Sequence, residues 1–87
     1  MEAPTASLRE DVLLAQQGNS AAFTRLVHAH SKVVRSITYA IVGDRQAGDD
    51  LAQEVFLEVW ETVGSLRFPD SFLPWLRQVA GTARTSF

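Results

Sequence analysis

Five carboxylates crowd one short stretch of this chain: Asp49, Asp50, Glu54, Glu58 and Glu61 lie between Gln46 and Glu61, with no Lys or Arg among them. Asp50, Glu54, Glu58 and Glu61 follow at i, i+4, i+8 and i+11, a stripe along one helix face. Like charges at i, i+4 repel by about a few tenths of a kcal/mol per pair. An isolated helix would not select this pattern. Acid–base catalysis would need a His or similar partner within reach, and helix-borne carboxylates alone argue weakly for it. A solvated face of an amphipathic helix is the plain alternative. A docking surface for a basic partner is the sharper one. The helix dipole accounts for Asp49 and Asp50 near the N-terminal end, but not for Glu58 and Glu61 near the other.

Other reactive groups are sparse. His28 and His30 stand two residues apart on an expected helix, so they point about 200° from each other and cannot readily share one ion. The chain has no cysteine, which excludes disulfides and thiolate metal sites and makes a reducing cytoplasm the expected compartment. It carries no Gly-rich phosphate loop, nucleophile elbow or metal-ligand spacing. The expectation is a non-enzymatic domain with no metal or cofactor.

Composition sets further bounds. At 87 residues with 46% hydrophobic and 21% charged content, the chain is one small ordered domain. No apolar run approaches the ~18–20 residues needed to cross a bilayer, and the N-terminus lacks the charged flank and apolar core of a signal peptide. Net charge is −2. A domain that grips duplex DNA unaided is usually basic, so any DNA contact here needs help from another molecule.

The elements that position these groups are helical. Residues 1–6 read as a frayed tail and 7–87 as the folded domain. Ser7 and Glu10 form a capping box for a short first helix that ends at Gly18 and turns Leu8, Val12 and Leu14 or Ala15 inward. Asn19 or Ser20 caps a long second helix from Ala21 to about Val42. Phe23, Leu26, Val27, His30, Val33, Val34, Ile37, Ala40 and Ile41 form its apolar stripe, while Arg25, Lys32 and Arg35 face out. Gly43-Asp44 breaks it. The third helix runs from Arg45 or Gln46 to Val63, with Gly64 as its stop. Leu51, Ala52, Val55, Phe56, Val59 and Trp60 form its apolar side, and Gly48 weakens its first turn. Asp70 or Ser71 caps a fourth helix with Pro74 in its first turn and Phe72, Trp75, Leu76, Val79, Ala80 and Ala83 on its buried face. The expected fold is all-α: a compact bundle of three main helices plus a short N-terminal one.

Asp50-Leu51-Ala52-Gln53-Glu54-Val55-Phe56 followed by Trp60 resembles the signature of region 2 of bacterial RNA polymerase sigma factors, most nearly the extracytoplasmic-function (ECF) class. The likeness continues into Phe72-Leu73-Pro74-Trp75-Leu76-Arg77-Gln78-Val79-Ala80 and reaches back to Phe23-Thr24-Arg25-Leu26-Val27 and Gly43-Asp44. It covers about Leu13 to Arg84. The resemblance implies a transcription-initiation module that docks on the coiled coil of the polymerase β′ clamp and recognises and melts the promoter −10 element. It implies polymerase contacts from Asp50, Gln53 and Glu54, with Leu51 at the patch edge and Phe56 packed inward. Arg67, Phe68, Asp70, Ser71 and Phe72 would form the pocket for a flipped non-template base, and Arg77, Gln78 and Arg84 would follow the strand. An anti-sigma protein is a further partner it implies.

The sequence departs from the family after Val79-Ala80. The family's Arg-Asn and following basic residues are replaced by Gly81-Thr82-Ala83-Arg84-Thr85-Ser86-Phe87, and the helix-turn-helix domain that reads the −35 element is absent from this chain. The rival reading is a sigma-like interaction domain that binds polymerase or a regulator without reading DNA. A purely structural helical bundle is the third.

Overall fold

The computed structural model describes residues 7–83. In chain order these form α1 (Leu8–Gln16), α2 (Ser20–Val42), α3 (Arg45–Thr62), two single 3-10 turns at Val63–Ser65 and Pro69–Ser71, and α4 (Phe72–Thr82). The fold is all-α, with three longer helices and a short first one. The tail at residues 1–6 and the strand-following Arg84 lie outside the described residues.

The helix ends follow local chemistry. Ser7 Oγ accepts from the Glu10 N–H at 3.1 Å while Glu10 Oε1 accepts from the Ser7 N–H at 3.3 Å, the reciprocal capping box expected from sequence. Asn19 accepts from the Ala22 N–H at 2.9 Å and starts α2. Gly43, at φ 71°, ends it in the left-handed region. Asp44 accepts from the Ala47 N–H at 2.8 Å and starts α3. The end of α3 differs from expectation. Gly64 does not adopt positive φ. The helix tightens instead into the 3-10 turn Val63–Ser65, a common way to use the last free carbonyls. Neither Asp70 nor Ser71 caps α4 through its side chain; the turn Pro69–Ser71 leads into it.

One core joins all four helices: Val12 and Ala15 from α1, Leu26 and Val34 from α2, Leu51, Ala52, Val55 and Val59 from α3, and Phe72, Leu76 and Ala80 from α4. Several expected core residues lie elsewhere. Leu8 and Ala40 are exposed and Trp60 is 37% exposed, while Phe56, half-buried, still packs against the core. The reason is angular. Leu51, Val55 and Val59 take the inward line of α3, so Phe56 and Trp60, one residue or about 100° further round, fall to its side.

The least expected contact is between α2 and α3. Thr38 is fully buried and donates its hydroxyl to Gly48 O at 2.8 Å. Gly48 is itself buried. A Cβ on Gly48 would fall on the Tyr39 ring, 2.9 Å from Cε1 and 3.2 Å from Tyr39 Cα. Sequence reading took Gly48 as a weak point of the helix. In the structure it is a point of close approach between α2 and α3. Two substitutions with the same helix-propensity gain separate these views. Gly81→Ala, which meets nothing within 4 Å, should stabilise by up to ~1 kcal/mol. Gly48→Ala should destabilise by about 1–3 kcal/mol through overpacking. Urea denaturation of both variants checks the opposite signs.

Candidate functional site

α3 presents Asp50, Gln53 and Glu54 on an exposed face within about one turn. The spacing follows from helix geometry, since residues 0, 3 and 4 apart share a side. None of the three makes a side-chain hydrogen bond or ion pair among the described residues. Leu51, expected at the patch edge, is core at 3% exposure. It anchors the face from beneath and offers no surface to a partner.

Beside this patch runs an apolar groove of about 450 Å³ between α2 and α3, lined by Phe23, Val27, Gln53, Phe56, Leu57 and Trp60, among others. Phe23 and Trp60 stack at 4.8 Å between centroids, tilted by 51°. Leu57, at 64% exposure, stands on the groove's lip. Sequence reading missed Leu57 because it breaks the inward stripe. That break was the available signal: an apolar residue at i+4 from Gln53, on the polar side.

Charge is sorted by element. α3 holds five carboxylates against one cation, Arg45, whereas α2 and α4 contain no Asp or Glu. The cations of α2 face solvent as expected, and two of them are also paired. Arg25 Nη2 lies 2.8 Å from Oδ1 of the buried Asp11, and Arg35 Nε lies 3.6 Å from Asp49 Oδ1. The Asp11 hydrogen bond raises the Arg25 pKa further above its ordinary value, against the opposing effect of burial. Lys32 of α2 and Arg77 of α4 have no acidic partner among the described residues, and they line one depression with Val33, Ser36 and Ile37. A second depression, lined by Ser36, Ile37, Ala40, Ile41 and Gly81, adjoins it along the same α2–α4 seam.

The residues from Arg67 to Phe72 divide. Arg67 and Phe68 are exposed, Phe68 at 65%. Asp70 and Ser71 are exposed, and Asp70 pairs with Arg9 at 3.2 Å. Phe72 was expected in a base pocket, and the structure corrects this. It is 1% exposed and packs on His30 at 5.3 Å, edge to face, and on Trp75 at 5.9 Å. As the first residue of α4, its side chain points back into the bundle, so it supports the loop without offering a ring to a base. Gln78 is exposed one position beyond Arg77. The histidines diverge: His28 is exposed, while His30 is buried with Nδ1 2.8 Å from Leu26 O.

These features define an all-helical domain with an acidic, apolar-flanked face on α3 and a cationic seam between α2 and α4. The chain belongs to the sigma-70 region 2 family, which it matches over residues 26–84. It is 42% identical over 74 residues to the probable RNA polymerase sigma factor RfaY of Xanthomonas campestris pv. campestris, covering 85% of this chain and 18% of that protein. It is 31% identical over 65 residues to the RNA polymerase sigma-H factor of Pseudomonas aeruginosa, covering 75% of this chain and 34% of that one. The chain thus spans between 18% and 34% of the length of these curated relatives. No solved structure gives a significant match.

The acidic face has one titration signature. Tyr39, the chain's single tyrosine, donates its hydroxyl to Asp49 Oδ1. That hydrogen bond, with burial and the Asp49 charge behind it, raises the Tyr39 pKa above its ordinary value. A group raised on folding stabilises below its unfolded pKa of ~10, and that contribution is lost as pH climbs through the folded value. Absorbance titration at alkaline pH should therefore find the tyrosine ionising above ~10, and Asp49→Asn should bring the midpoint down. A midpoint unmoved by Asn at 49 contradicts the assignment.

Proposed function

We propose that this chain is the region 2 domain of an ECF-type sigma factor, a transcription-initiation module that docks on the β′ clamp coiled coil of RNA polymerase through α3. The observation that carries the reading is the unpartnered patch of Asp50, Gln53 and Glu54 beside an exposed apolar groove. Carboxylates and an amide at this spacing meet Arg or Lys of a partner helix with charge-assisted bonds. Leu57 and Trp60 supply the apolar area that desolvates such bonds. The partner chemistry that fits is a basic amphipathic helix, as on a helical hairpin. Its setting is the cytoplasm.

The α2–α4 seam and the loop carrying Arg67 and Phe68 then meet the non-template strand of the −10 element. Phe68 is free to stack on a base, and Lys32, Arg77 and Gln78 line the route beyond it. A net charge of −2 keeps the isolated domain off duplex DNA, so selective binding arises once polymerase holds it on melted promoter. An anti-sigma regulator would act by covering the same α3 face, and a partner that binds together with polymerase contradicts that role.

Two experiments test the two faces. Asp50→Ala with Gln53→Ala should weaken binding to a β′ coiled-coil fragment about ten- to hundredfold, roughly 1.4–2.8 kcal/mol. Stability should stay within about 0.5 kcal/mol, because both side chains are exposed. Undiminished binding sinks the docking assignment. For the seam, Lys32→Ala in the polymerase complex should lower the salt slope of −10 strand binding by about 0.7, one phosphate contact on a single strand. An unchanged slope removes Lys32 from the strand's path.

A further inference from the structure

Gln16, the last residue of α1, is half-buried, and its side-chain amide reaches far along the sequence. Nε2 donates to Val63 O at 3.0 Å and to Leu66 O at 2.8 Å, which uses both of its hydrogens. Val63 closes α3, and Leu66 opens the loop carrying Arg67 and Phe68. Arg9, about two turns earlier on α1, reaches the other end of that loop at Asp70, 3.2 Å away. That second pair is exposed on both sides and contributes little alone. α1 is in turn fastened to α2 by the buried Asp11 and its partner Arg25. The loop therefore hangs between two points on one helix, with Arg67, Phe68 and Pro69 between them. A segment this short with both ends held has few conformations open to it. None of α1 falls within the residues that match the family, 26–84.

We infer that Gln16 is a positioning residue for the strand-binding loop: by holding the carbonyls of Val63 and Leu66 it keeps Arg67 and Phe68 in the arrangement that takes an unpaired base. The inference rests on the strand-binding reading of that loop. Without the amide, both carbonyls turn to water at small cost, the loop samples other forms, and apparent affinity falls with the competent fraction. Gln16 touches no nucleic acid itself.

The test assembles the full chain on polymerase core and titrates a −10-like non-template strand by fluorescence anisotropy, well below the melting temperature. Gln16→Ala should weaken strand binding about tenfold. Gln16→Glu should weaken it at least as much, since a carboxylate cannot donate to the two carbonyls. Affinity for the β′ coiled-coil fragment should stay within about twofold. Amide exchange at Leu66 and Ser71, whose N–H groups bond Val63 O and Phe68 O, should quicken in both variants while the core amides of α2 and α3 stay protected, which a merely stabilising glutamine would not produce. Gln16→Met, which keeps the stem's volume, takes over if the alanine variant does not fold. Strand affinity that stays near wild type in the Gln16 variants, while Arg67→Ala plus Phe68→Ala abolishes it, overturns the positioning role and leaves the strand reading standing. A double variant that binds like wild type overturns the strand reading itself. Parallel loss of strand and coiled-coil binding marks a folding effect and overturns the inference.

Discussion

Gly48 has no side chain because the Tyr39 ring and the α2 backbone occupy the place where one would go. Much of the molecule follows from that close approach. The helices α2 and α3 meet backbone to backbone there, and the Thr38 hydroxyl bonds the Gly48 carbonyl across the gap. The Thr38 hydroxyl also lies 3.2 Å from Arg35 O of its own helix, and the shorter bond to Gly48 O ties one helix to the other. With α3 held at that rotation, Leu51, Ala52, Val55 and Val59 must face the core. Asp50, Gln53 and Glu54 must then face out, and Trp60 must lie to the side against Phe23.

The same geometry segregates charge. Every carboxylate of the three longer helices sits on α3, and the cations of α2 that lie near acids are neutralised by Asp11 and Asp49. Lys32 and Arg77, without an acidic partner among the described residues, line one depression in the seam between α2 and α4. A chain of net charge −2 therefore carries an acidic, partly apolar surface on α3 and a small cationic groove between α2 and α4. Nucleic-acid affinity that depends on so few cations is weak by itself.

Local chemistry was legible in the sequence, and long-range chemistry was not. The capping box at Ser7, the caps at Asn19 and the helix break at Gly43 depend on residues within a turn of one another, so composition reveals them. The exposed acidic patch was legible because its spacing matches one helix face. Phe72 was placed both on the buried face of α4 and in the base pocket, because a loop-edge aromatic reads equally as a core anchor or a base platform; its burial against His30 decides for the core. Gln16 and Thr38 went unseen because their partners lie 47, 50 and 10 residues away. All three partners are backbone carbonyls, which leave no mark on side-chain pattern. Gly48 looked like a helix defect because propensity is a local scale, and the constraint it answers is tertiary.

The central claim is that α3 faces polymerase while the α2–α4 seam and its loop face the melted strand. Site-specific photo-crosslinking in a transcription-initiation complex tests it most directly, with a photoreactive side chain placed in turn at Leu57, exposed on the α3 face, and at Phe68, exposed on the loop. The account predicts crosslinks from position 57 to the β′ clamp coiled coil and from position 68 to non-template DNA of the −10 element. Crosslinks from position 57 to DNA, or from position 68 to the β′ coiled coil, would contradict it.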